Sequence, residues 1–408
     1  MSMTEWKETK FGALLAEPVR NGVYKPKPFH GRGVSVVNMG ELFAYPRLRT
    51  VAMSKIELSE KEKEKSLLKN GDLIFARRSL TAEGAGKCSL VYDLREETTF
   101  ESSIIRARPD TKKVSPDFIY YYFNSRYGKY LLGTILRQVA VAGITGTDLM
   151  ELTVSVPPIE EQRAIAEVLS SLDDKIDLLH RQNKTLESLS ETLFRHWFIE
   201  EANSEWETGT LGDLLETLES GSRPKGGIDP DLKEGIPSIG AESVDGLGVY
   251  DHSKTKFVTR EFFDSMRRGV IREYDVLIYK DGAYVGRKGM FAGGFPFKEF
   301  AVNEHVFILR SNGNTNQTYL YFALDQEELS QLNANSAQPG LNQEAMRSFQ
   351  MVIPPQHKMT DFENVVRPWL VKIFSNCKQI RSLSQMRDSL LPKLMSREVA
   401  LIGELPAM

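Results

Sequence analysis

The sequence predicts an α+β protein in which two pseudo-repeated globular domains are separated by a long antiparallel two-helix coiled coil. Three observations predict this fold. The 408 residues are too many for one compact core, and the chain repeats itself at an interval of about 200 residues. Each copy contains a proline pair, preceded by short apolar runs that are typical of strands. A long segment without glycine follows each pair and shows heptad spacing.

Five sequence blocks recur in the same order and define the repeat. The offset between the two copies of a block stays between 197 and 203 residues. The pairs are Glu5-Trp6 with Glu205-Trp206, Asp72-Leu73-Ile74-Phe75 with Asp275-Val276-Leu277-Ile278, Phe118-Ile119-Tyr120-Tyr121 with Tyr319-Leu320-Tyr321-Phe322, Gly143-Ile144-Thr145 with Gly340-Leu341-Asn342, and Val156-Pro157-Pro158 with Ile353-Pro354-Pro355. Because chance similarity does not preserve order, we interpret the chain as a duplicated unit with short loop insertions.

The part of each copy before the proline pair predicts a mixed α+β globule. Runs rich in β-branched and aromatic residues alternate with glycine and charged residues, as strands alternate with turns. These runs lie at 34–37, 73–75, 276–279 and 305–309. Residues 115–130 have a helical pattern, with Pro116 in the first turn and aromatic residues on one face.

The segments that Pro158 and Pro355 open predict two long helices. At about 1.5 Å per residue, roughly 40 residues form a rod of about 60 Å, which is longer than a globule needs for its own core. Ten heptad positions run through 165–197 and ten more through 362–394. Two such rods from a duplicated chain are expected to pack about a pseudo-two-fold axis, and therefore antiparallel.

Two polar heptad positions predict the register of this helix pair. A two-fold pairing requires that the numbers of facing positions add up to a constant, and a total of 559 places Asn183 opposite Asn376. A buried asparagine pair fixes register, since any slip leaves an amide in hydrocarbon. The alternative is that either asparagine lies at a wet edge of the interface.

Composition excludes several classes of protein. The net charge of −3 and the 41% hydrophobic residues are those of an ordinary folded chain. The two cysteines, Cys88 and Cys377, are far apart, which excludes a disulfide framework and favours a reducing, cytoplasmic setting. The chain begins without a signal-peptide pattern and has no run of about 18 apolar residues. We therefore expect a protein that is neither exported nor embedded in a membrane.

The sequence also lacks the motifs of the catalytic classes considered. An amino-methyltransferase needs an acidic or amide residue before Pro-Pro-aromatic, but here the proline pairs follow Val156 and Ile353. Residues 282–288 are similar to a phosphate loop but lack its GK[ST] ending. The six histidines show no metal-ligand spacing. We therefore expect no catalytic residue, no metal and no cofactor.

Two globules, each followed by a proline pair and a long helix, resemble the specificity subunit of type I restriction-modification systems. The blocks GDLIF and YDVLIYKDG carry the resemblance, together with VPPIEEQRAIAEVLSSLDDKID and IPPQHKMTDFENVVRPW. It covers essentially the whole chain, and the stretch 157–177 is its most specific part. The second copy is more diverged, with Gln356-His357 where the first has Glu160-Glu161-Gln162.

The resemblance implies a function and a set of partners. Each globule is then a target recognition domain that reads one half of an asymmetric bipartite site in double-stranded DNA. The helices set the gap and bind two methyltransferase subunits, and restriction subunits join outside; the subunit itself is not an enzyme and does not bind membranes. The implied boundaries are 1–156 and 201–353 for the two recognition domains, 157–200 and 354–398 for the spacer helices, and 399–408 for a C-terminal tail.

The charge distribution indicates where DNA contacts lie. The net charge is +6 for 1–156 and −8 for 201–353, but +4 within 254–288. Arginine and lysine in loops with glycine and proline suit phosphate contacts and base readout, although each can also be a solvated charge. The candidates are Lys25, Lys27, His30, Arg32, Arg47, Arg49, Arg77, Arg78 and Lys87, and then Arg223, Lys225, Lys254, Lys256, Lys280, Tyr284, Arg287 and Lys288. The strongest are Arg77-Arg78 and 280–288, which follow equivalent strands.

Partner binding is expected at the end of the first helix. Phe194 and Phe198 lie on a stripe beside the heptad positions, where they either meet a partner helix or cover the globule that follows. Two other functions stay open from the residues alone. One is a stand-alone restriction or modification enzyme with degenerate motifs, and the other is a scaffold that binds only proteins through its coiled coil.

Overall fold

The chain forms two compact units in a computed structural model that describes residues 6–137, 142–282, 284–324, 326–332 and 340–396. The first unit consists of Met1–Asp174 and Ser384–Met408, and the second of Lys175–Leu383. The unit boundaries fall inside the two long helices. Each unit therefore holds one globule and a section of each helix.

The first unit contains twelve strands and five short helices among its described residues, followed by the start of a long helix. The strands are β1 (Lys7–Lys10), β2 (Leu15–Asn21), β3 (His30–Val37), β4 (Arg47–Arg49), β5 (Lys55–Ile56), β6 (Leu73–Ala76), β7 (Arg78–Ser79), β8 (Cys88–Asp93), β9 (Thr98–Phe100), β10 (Ile104–Pro109), β11 (Ala142–Gly143) and β12 (Thr153–Val156). The helices are α1 (Met39–Ala44), α2 (Glu60–Ser66), α3 (Pro116–Asn124), α4 (Arg126–Thr134), α5 (Gly146–Glu151) and the long α6 (Ile159–Arg195).

The second unit repeats this arrangement with ten strands and four short helices in its described part. The strands are β13 (Glu207–Thr210), β14 (Leu215–Ser220), β15 (Ile236–Ile239), β16 (Gly246–Leu247), β17 (Lys256–Val258), β18 (Val276–Tyr279), β19 (Lys288–Met290), β20 (Ala301–Val302), β21 (Val306–Ser311) and β22 (Gln350–Ile353). The helices are α7 (Arg260–Ser265), α8 (Gln317–Ala323), α9 (Gln326–Gln331), α10 (Gln343–Arg347) and the long α11 (Gln356–Met395).

Apart from the β7-β11 pair of the first unit, the sheets of the two units have the same topology. The five-stranded sheet runs β2-β10-β6-β8-β4 in the first unit and β14-β21-β18-β19-β16 in the second. A three-stranded sheet, β5-β3-β9 or β17-β15-β20, and a pair, β1-β12 or β13-β22, accompany it. The expected duplication and the mixed fold class are therefore confirmed. The described part of the chain has no helix that is long and apolar enough to span a bilayer.

The helix that we expected over residues 115–130 is two helices, α3 and α4. Ser115 caps α3 by accepting a hydrogen bond from the Phe118 N–H, and Pro116 occupies the first turn as expected. Ser125 then adopts an extended conformation and accepts a hydrogen bond from the Gly128 N–H, so it ends α3 and starts α4. The aromatic periodicity predicted one continuous helix, and Ser125, a residue type that favours helix caps, was the sequence signal of the break.

A guanidinium–carboxylate pair fixes the start of the central strand in each unit. Arg108 on β10 binds both oxygens of Asp72, just before β6, at 2.7 and 2.8 Å. Arg310 on β21 binds both oxygens of Asp275, just before β18, at 2.8 and 2.7 Å. Both carboxylates are buried, and each also accepts a backbone N–H from three residues earlier. The duplication has therefore kept a complete buried polar site, which is costly to break.

Aromatic side chains fill the core of the first unit. Phe11 and Phe75 both pack edge to face on Phe123, with ring centroids 4.9 and 5.4 Å away. Ile165 and Leu169 of α6 and Leu394 of α11 belong to the same buried cluster. The helix sections are thus part of the core of this unit.

The heptad positions face inward along both long helices. None of the twenty predicted positions is exposed. In the second unit Trp197 packs against Phe362, and Asn183 against Asn376, and both pairs of numbers add up to 559. Two such contacts require that the helix sections run antiparallel in this unit. In the first unit Arg387 of α11 binds Asp173 of α6 at 2.8 Å.

We expect that Arg310→Ala selectively destabilises the second unit. Removing the guanidinium leaves the buried Asp275 carboxylate without its main partner, at a cost of about 3–5 kcal/mol. Hydrogen–deuterium exchange should accelerate in β14, β18 and β21 but not in the first unit, and Arg108→Ala should give the converse pattern. Arg347→Ala, at an exposed position of α10, is the matched control. Unchanged exchange in β18 would contradict a structural role of the pair.

Candidate nucleic-acid interface

Two equivalent hairpins carry the strongest sequence candidates. The first joins β6 to β8 and the second joins β18 to β19. The same two backbone hydrogen bonds close both turns. They run from Ala76 N–H to Lys87 O (2.9 Å) and Gly86 N–H to Ala76 O (2.8 Å), and from Tyr279 N–H to Arg287 O (2.8 Å) and Gly286 N–H to Tyr279 O (2.9 Å). Lys87 and Arg287 therefore occupy the same structural position.

The base of each hairpin is also held in the same way. The Ile144 N–H donates to the Arg77 carbonyl at 3.0 Å, and the Leu341 N–H donates to the Lys280 carbonyl at 2.7 Å. The structure thus places Arg77 and Lys280 at equivalent positions, which is the arrangement that the repeat predicts.

The second hairpin presents an aromatic ring with a cation stacked on it. The Tyr284 side chain is 53% exposed, and the Arg287 guanidinium carbon lies 3.9 Å from its ring centroid. Asp245 lies 3.6 Å from the same guanidinium. Lys280 lies beside Asp281, which also binds His305 at 2.9 Å.

The first hairpin presents different groups. Arg78 is exposed, and Leu80 is 96% exposed. Arg77 is half-buried and donates to the Ser102 carbonyl at 3.4 Å. Burial lowers the pKa of Lys87, and the ammonium of Lys129 on α4 lies near enough to lower it further. The sequence candidates do not include Lys129, because it lies on a helix and they were chosen from loops.

A second basic segment of the first unit runs from the loop after β2 into the first residues of β3. Lys25 binds Glu62 at 2.7 Å, and Arg32 pairs with Glu57. The Lys25 ammonium and the Ser59 N–H lower the pKa of Glu62 to about 2, so Glu62 is ionised at every working pH. His30 contacts the Lys25 carbonyl at 2.8 Å, and Lys27 is exposed.

Most of the candidate cations of the second unit are paired with carboxylates. Five of them lie within 4 Å of one: Arg223 with Glu304 (3.0 Å), Lys254 with Asp251 (3.2 Å), Lys256 with Glu242 (2.7 Å), Lys280 with Asp281 (3.2 Å) and Arg287 with Asp245 (3.6 Å). Lys225 is exposed in the same loop as Arg223. Arg223, Lys256 and His305 line a cleft of about 560 Å³. This pairing reduces the attraction of the unit for phosphate in general.

Four sequence candidates are bound by groups of their own unit. Arg47 is buried, binds Asp174 of α6 at 3.0 Å and stacks on Tyr92, and Arg49 contacts the same carboxylate at 3.3 Å. The Lys87 ammonium donates to the Phe43 carbonyl at 2.9 Å.

In the second unit the Lys288 side chain is also bound within its own unit. Its ammonium donates to the Tyr321 and Leu324 carbonyls, both at 2.7 Å, at the end of α8. We therefore remove Arg47, Arg49, Lys87 and Lys288 from the proposed DNA contacts, because each cation is already bound inside its own unit.

Polar side chains meet within the helix pair of the second unit. Asn376 is fully buried and donates through Nδ2 to Asn183 Oδ1 at 2.8 Å and to Gln182 Oε1 at 2.9 Å. Asn183 Nδ2 lies 3.5 Å from Cys377 Sγ. Burial raises the pKa of the Cys377 thiol to about 11, so it is un-ionised at neutral pH. The structure brings the two predicted asparagines together, and their role in fixing register stays a prediction.

The two phenylalanines that we expected to meet a partner pack inside the second unit. Phe198 is 8% exposed and lies 5.1 Å from Tyr319 and 5.4 Å from Phe362, measured between centroids. Phe194 lies 5.7 Å from Phe362 and 6.4 Å from Phe322. These contacts favour the alternative that both side chains cover the globule, and they leave neither as an exposed docking stripe.

Asp173 and Asp174 on α6 form a polar cluster that sequence reasoning missed. Asp173 accepts hydrogen bonds from Tyr121 (2.7 Å) and Arg387 (2.8 Å), and Asp174 accepts one from Tyr92 (3.0 Å). The acidic pair was visible in the sequence, but its partners lie far apart along the chain. Elsewhere, the described residues bring together no group of three histidine, cysteine or acidic side chains that could hold a metal ion.

A family model agrees with this architecture. The model for the "Type I restriction modification DNA specificity domain" matches residues 20–188 and again 203–362. One match falls on each repeat, and together they cover most of the chain. They define the class of protein as one built from two DNA specificity domains.

Individual relatives agree with the family match. The specificity subunit of the type I restriction enzyme MjaIX of Methanocaldococcus jannaschii is 27% identical over 312 residues, which are 70% of this chain and 69% of that subunit. The EcoKI specificity subunit of Escherichia coli is 26% identical over 207 residues, 49% of this chain and 44% of the subunit. The crystal structure of an S subunit from M. genitalium has the same fold, with a TM-score of 0.60 and 16% identity over 96% of both chains.

The chain belongs to the family of type I restriction-modification specificity subunits. The resemblance that the sequence blocks indicated is thereby confirmed.

We expect that Asn376→Leu lowers the free energy of unfolding by about 1–3 kcal/mol, because Asn183 and Gln182 lose a buried partner. The double variant Asn183→Leu/Asn376→Leu should recover much of the loss, since replacing both members by apolar groups is close to neutral. Urea denaturation of the four species gives the coupling energy. Gln379→Leu, at an exposed position of α11, is the control. Additive effects would show that the two amides do not stabilise each other.

Proposed function

We propose that this chain is a non-catalytic DNA-recognition subunit of a type I restriction-modification complex. Each unit reads one half of an asymmetric bipartite site in double-stranded DNA. The two long helices set the gap between the half-sites and bind two methyltransferase subunits, and restriction subunits complete the assembly. The observation that carries the proposal is the pair of equivalent hairpins, each with an exposed or half-exposed arginine, in two copies of a DNA specificity domain.

The charge pattern supports selective rather than general binding. Arg78 and Lys27 are exposed cations in a domain of net charge +6, so the first unit can add phosphate contacts. In the second unit five candidate cations are paired with carboxylates, and a phosphate contact by one of them competes with its ion pair. This competition favours a DNA sequence whose hydrogen-bond pattern matches the protein side chains, and it disfavours DNA that offers only phosphate contacts.

The partner surface follows from exposed apolar residues on the first long helix. Leu178 and Leu189 are 49% and 47% exposed. They are eleven residues apart, which is close to three helical turns, so they lie on one face of α6. An apolar pair on a long helix suits a helical partner, and it replaces Phe194 and Phe198 as the proposed contact for a methyltransferase subunit.

The DNA-binding part of the proposal is tested in the complex with the methyltransferase subunits of the same system. We expect that Arg78→Glu weakens binding to the cognate site at least about tenfold, as loss of a phosphate or base contact plus added repulsion requires. The methyltransferase subunits should still co-purify. Lys61→Glu, the same charge reversal on the exposed face of α2, should bind like the wild type.

Three results would contradict this part of the proposal or its assignment to the first hairpin. A wild-type complex that binds no DNA sequence in preference to others would exclude recognition and favour a scaffold that binds only proteins. Methylation or cleavage of DNA by the isolated chain would favour the stand-alone enzyme. Unchanged affinity of Arg78→Glu would exclude the first hairpin as the contact.

The partner surface has a separate test. We expect that Leu178→Asp/Leu189→Asp abolishes co-purification of the methyltransferase subunits, because two carboxylates then have to be desolvated in the interface. Circular dichroism and the melting temperature should stay close to wild type, since both positions are solvent-exposed. Lys184→Asp, at an exposed position of α6 about 120° around the helix from this pair, is the control. Retention of both partner subunits by the double variant would exclude this face.

A further inference from the structure

The Arg287 guanidinium in the second hairpin is held by the exposed aromatic ring of Tyr284 and by a carboxylate. The aromatic face supports the guanidinium at 3.9 Å, and Asp245 contacts it at 3.6 Å from another segment. An arginine on a surface loop ordinarily samples many rotamers, and ordering it on binding costs free energy. Here two contacts restrict the guanidinium before any ligand arrives.

The backbone beneath this pair is also restrained. The Arg287 N–H donates to the Tyr284 carbonyl at 3.1 Å, and Tyr279 closes the turn with two further hydrogen bonds. Val285, between the two side chains, is buried in the core of the second unit. Gly286 has φ +85°, a conformation that favours glycine and that the turn requires. The hydrogen bonds and the burial of Val285 therefore restrain the backbone that carries the stacked pair.

The equivalent position of the first unit provides a comparison. Lys87 occupies the place of Arg287, but its ammonium binds the Phe43 carbonyl and lies 4.8 Å from the Phe43 ring. The Lys87 ammonium is therefore bound by a backbone carbonyl of its own unit, whereas the Arg287 guanidinium stacks on an exposed ring. The duplication thus kept the hairpin and changed what it presents, as expected if the two hairpins recognise different sequences.

Stacking uses the flat face of a guanidinium and leaves its N–H edge available for hydrogen bonds in the plane. A planar edge with two parallel donors matches the O6 and N7 acceptors of guanine in the major groove. A phosphate can also accept such a pair, but it does not require that the donor plane be fixed in advance. The restrained orientation is therefore better suited to reading a base.

We propose that Arg287 is a specificity-determining residue that reads a guanine in the half-site bound by the second unit. Tyr284 and Asp245 are positioning residues that hold its guanidinium plane. This inference rests on the proposed function, because it names the base contact of the same site. At the equivalent position of the first unit the Lys87 ammonium is bound to the Phe43 carbonyl, so this guanine contact is assigned to the half-site of the second unit.

The test uses the complex with its methyltransferase subunits, expressed in a host that lacks other DNA methylation, with methylated sites mapped across the genome. We expect that Arg287→Ala relaxes the target at one base pair of one half-site, with discrimination there falling about tenfold to a hundredfold. The other half-site should keep its sequence. This half serves as an internal control for folding and assembly.

Conservative variants distinguish readout of the base by paired hydrogen-bond donors from a contact that needs only positive charge. Arg287→Lys keeps the positive charge but not the paired donors, and it should relax the same base pair. Tyr284→Ala should reduce discrimination at that base pair, and Tyr284→Phe, which keeps the ring, should restore it. Arg78→Ala in the first unit should leave the half-site of the second unit unchanged.

Several outcomes would overturn the inference while leaving the proposed function intact. One is an unchanged methylated sequence in Arg287→Ala, with uniformly weaker binding and a salt dependence reduced by about one charge, which identifies a phosphate contact. Another is full retention of specificity by Arg287→Lys. Failure of the wild-type complex to methylate any defined sequence would instead overturn the proposed function itself.

Discussion

The buried pair of arginine and aspartate at the foot of the central strand is the constraint on which each unit depends. Asp72 and Asp275 lie immediately before β6 and β18. Each accepts hydrogen bonds from Nε and a terminal nitrogen of an arginine on the neighbouring strand. A buried carboxylate of this kind tolerates little displacement, because its hydrogen bonds are directional and its desolvation cost is high. The pair therefore fixes where the strand begins. The other end of the same short strand carries the hairpin, so the position of the hairpin is set by the core.

The two units attach to their helix sections by different chemistry. In the first unit Asp173 and Asp174 receive hydrogen bonds from a tyrosine on α3, a tyrosine on β8 and arginines on β4 and α11. In the second unit the corresponding contact is largely aromatic, with Phe362 surrounded by Phe194, Phe198 and Phe322. Polar networks demand defined partners, while aromatic clusters tolerate more variation in detail. The duplicated fold has thus been kept with two unlike interfaces, each within its own unit.

Much of the architecture could be predicted from the sequence, because it depends on local patterns. The repeat, the strands at 73–75 and 276–279, and the starts of both long helices after their proline pairs follow from periodicity and from proline geometry. The site was harder to predict. Arg47 and Lys288 look like surface cations in sequence, yet their partners are Asp174 and two backbone carbonyls at the end of α8. No local pattern distinguishes a bound cation from a free one.

The sequence by itself determined the fold class, the duplication, the heptad positions and the family, since each is encoded in spacing along the chain. The tertiary structure decided which cations remain available, because that depends on which carboxylate or carbonyl another segment brings within about 3 Å. It also distinguished Lys87 from Arg287, which share a position in the repeat but not a partner. Phe194 and Phe198 lie on the stripe beside the heptad positions that the sequence predicted, but only the packing of α8 and α11 against them decided that they are core residues.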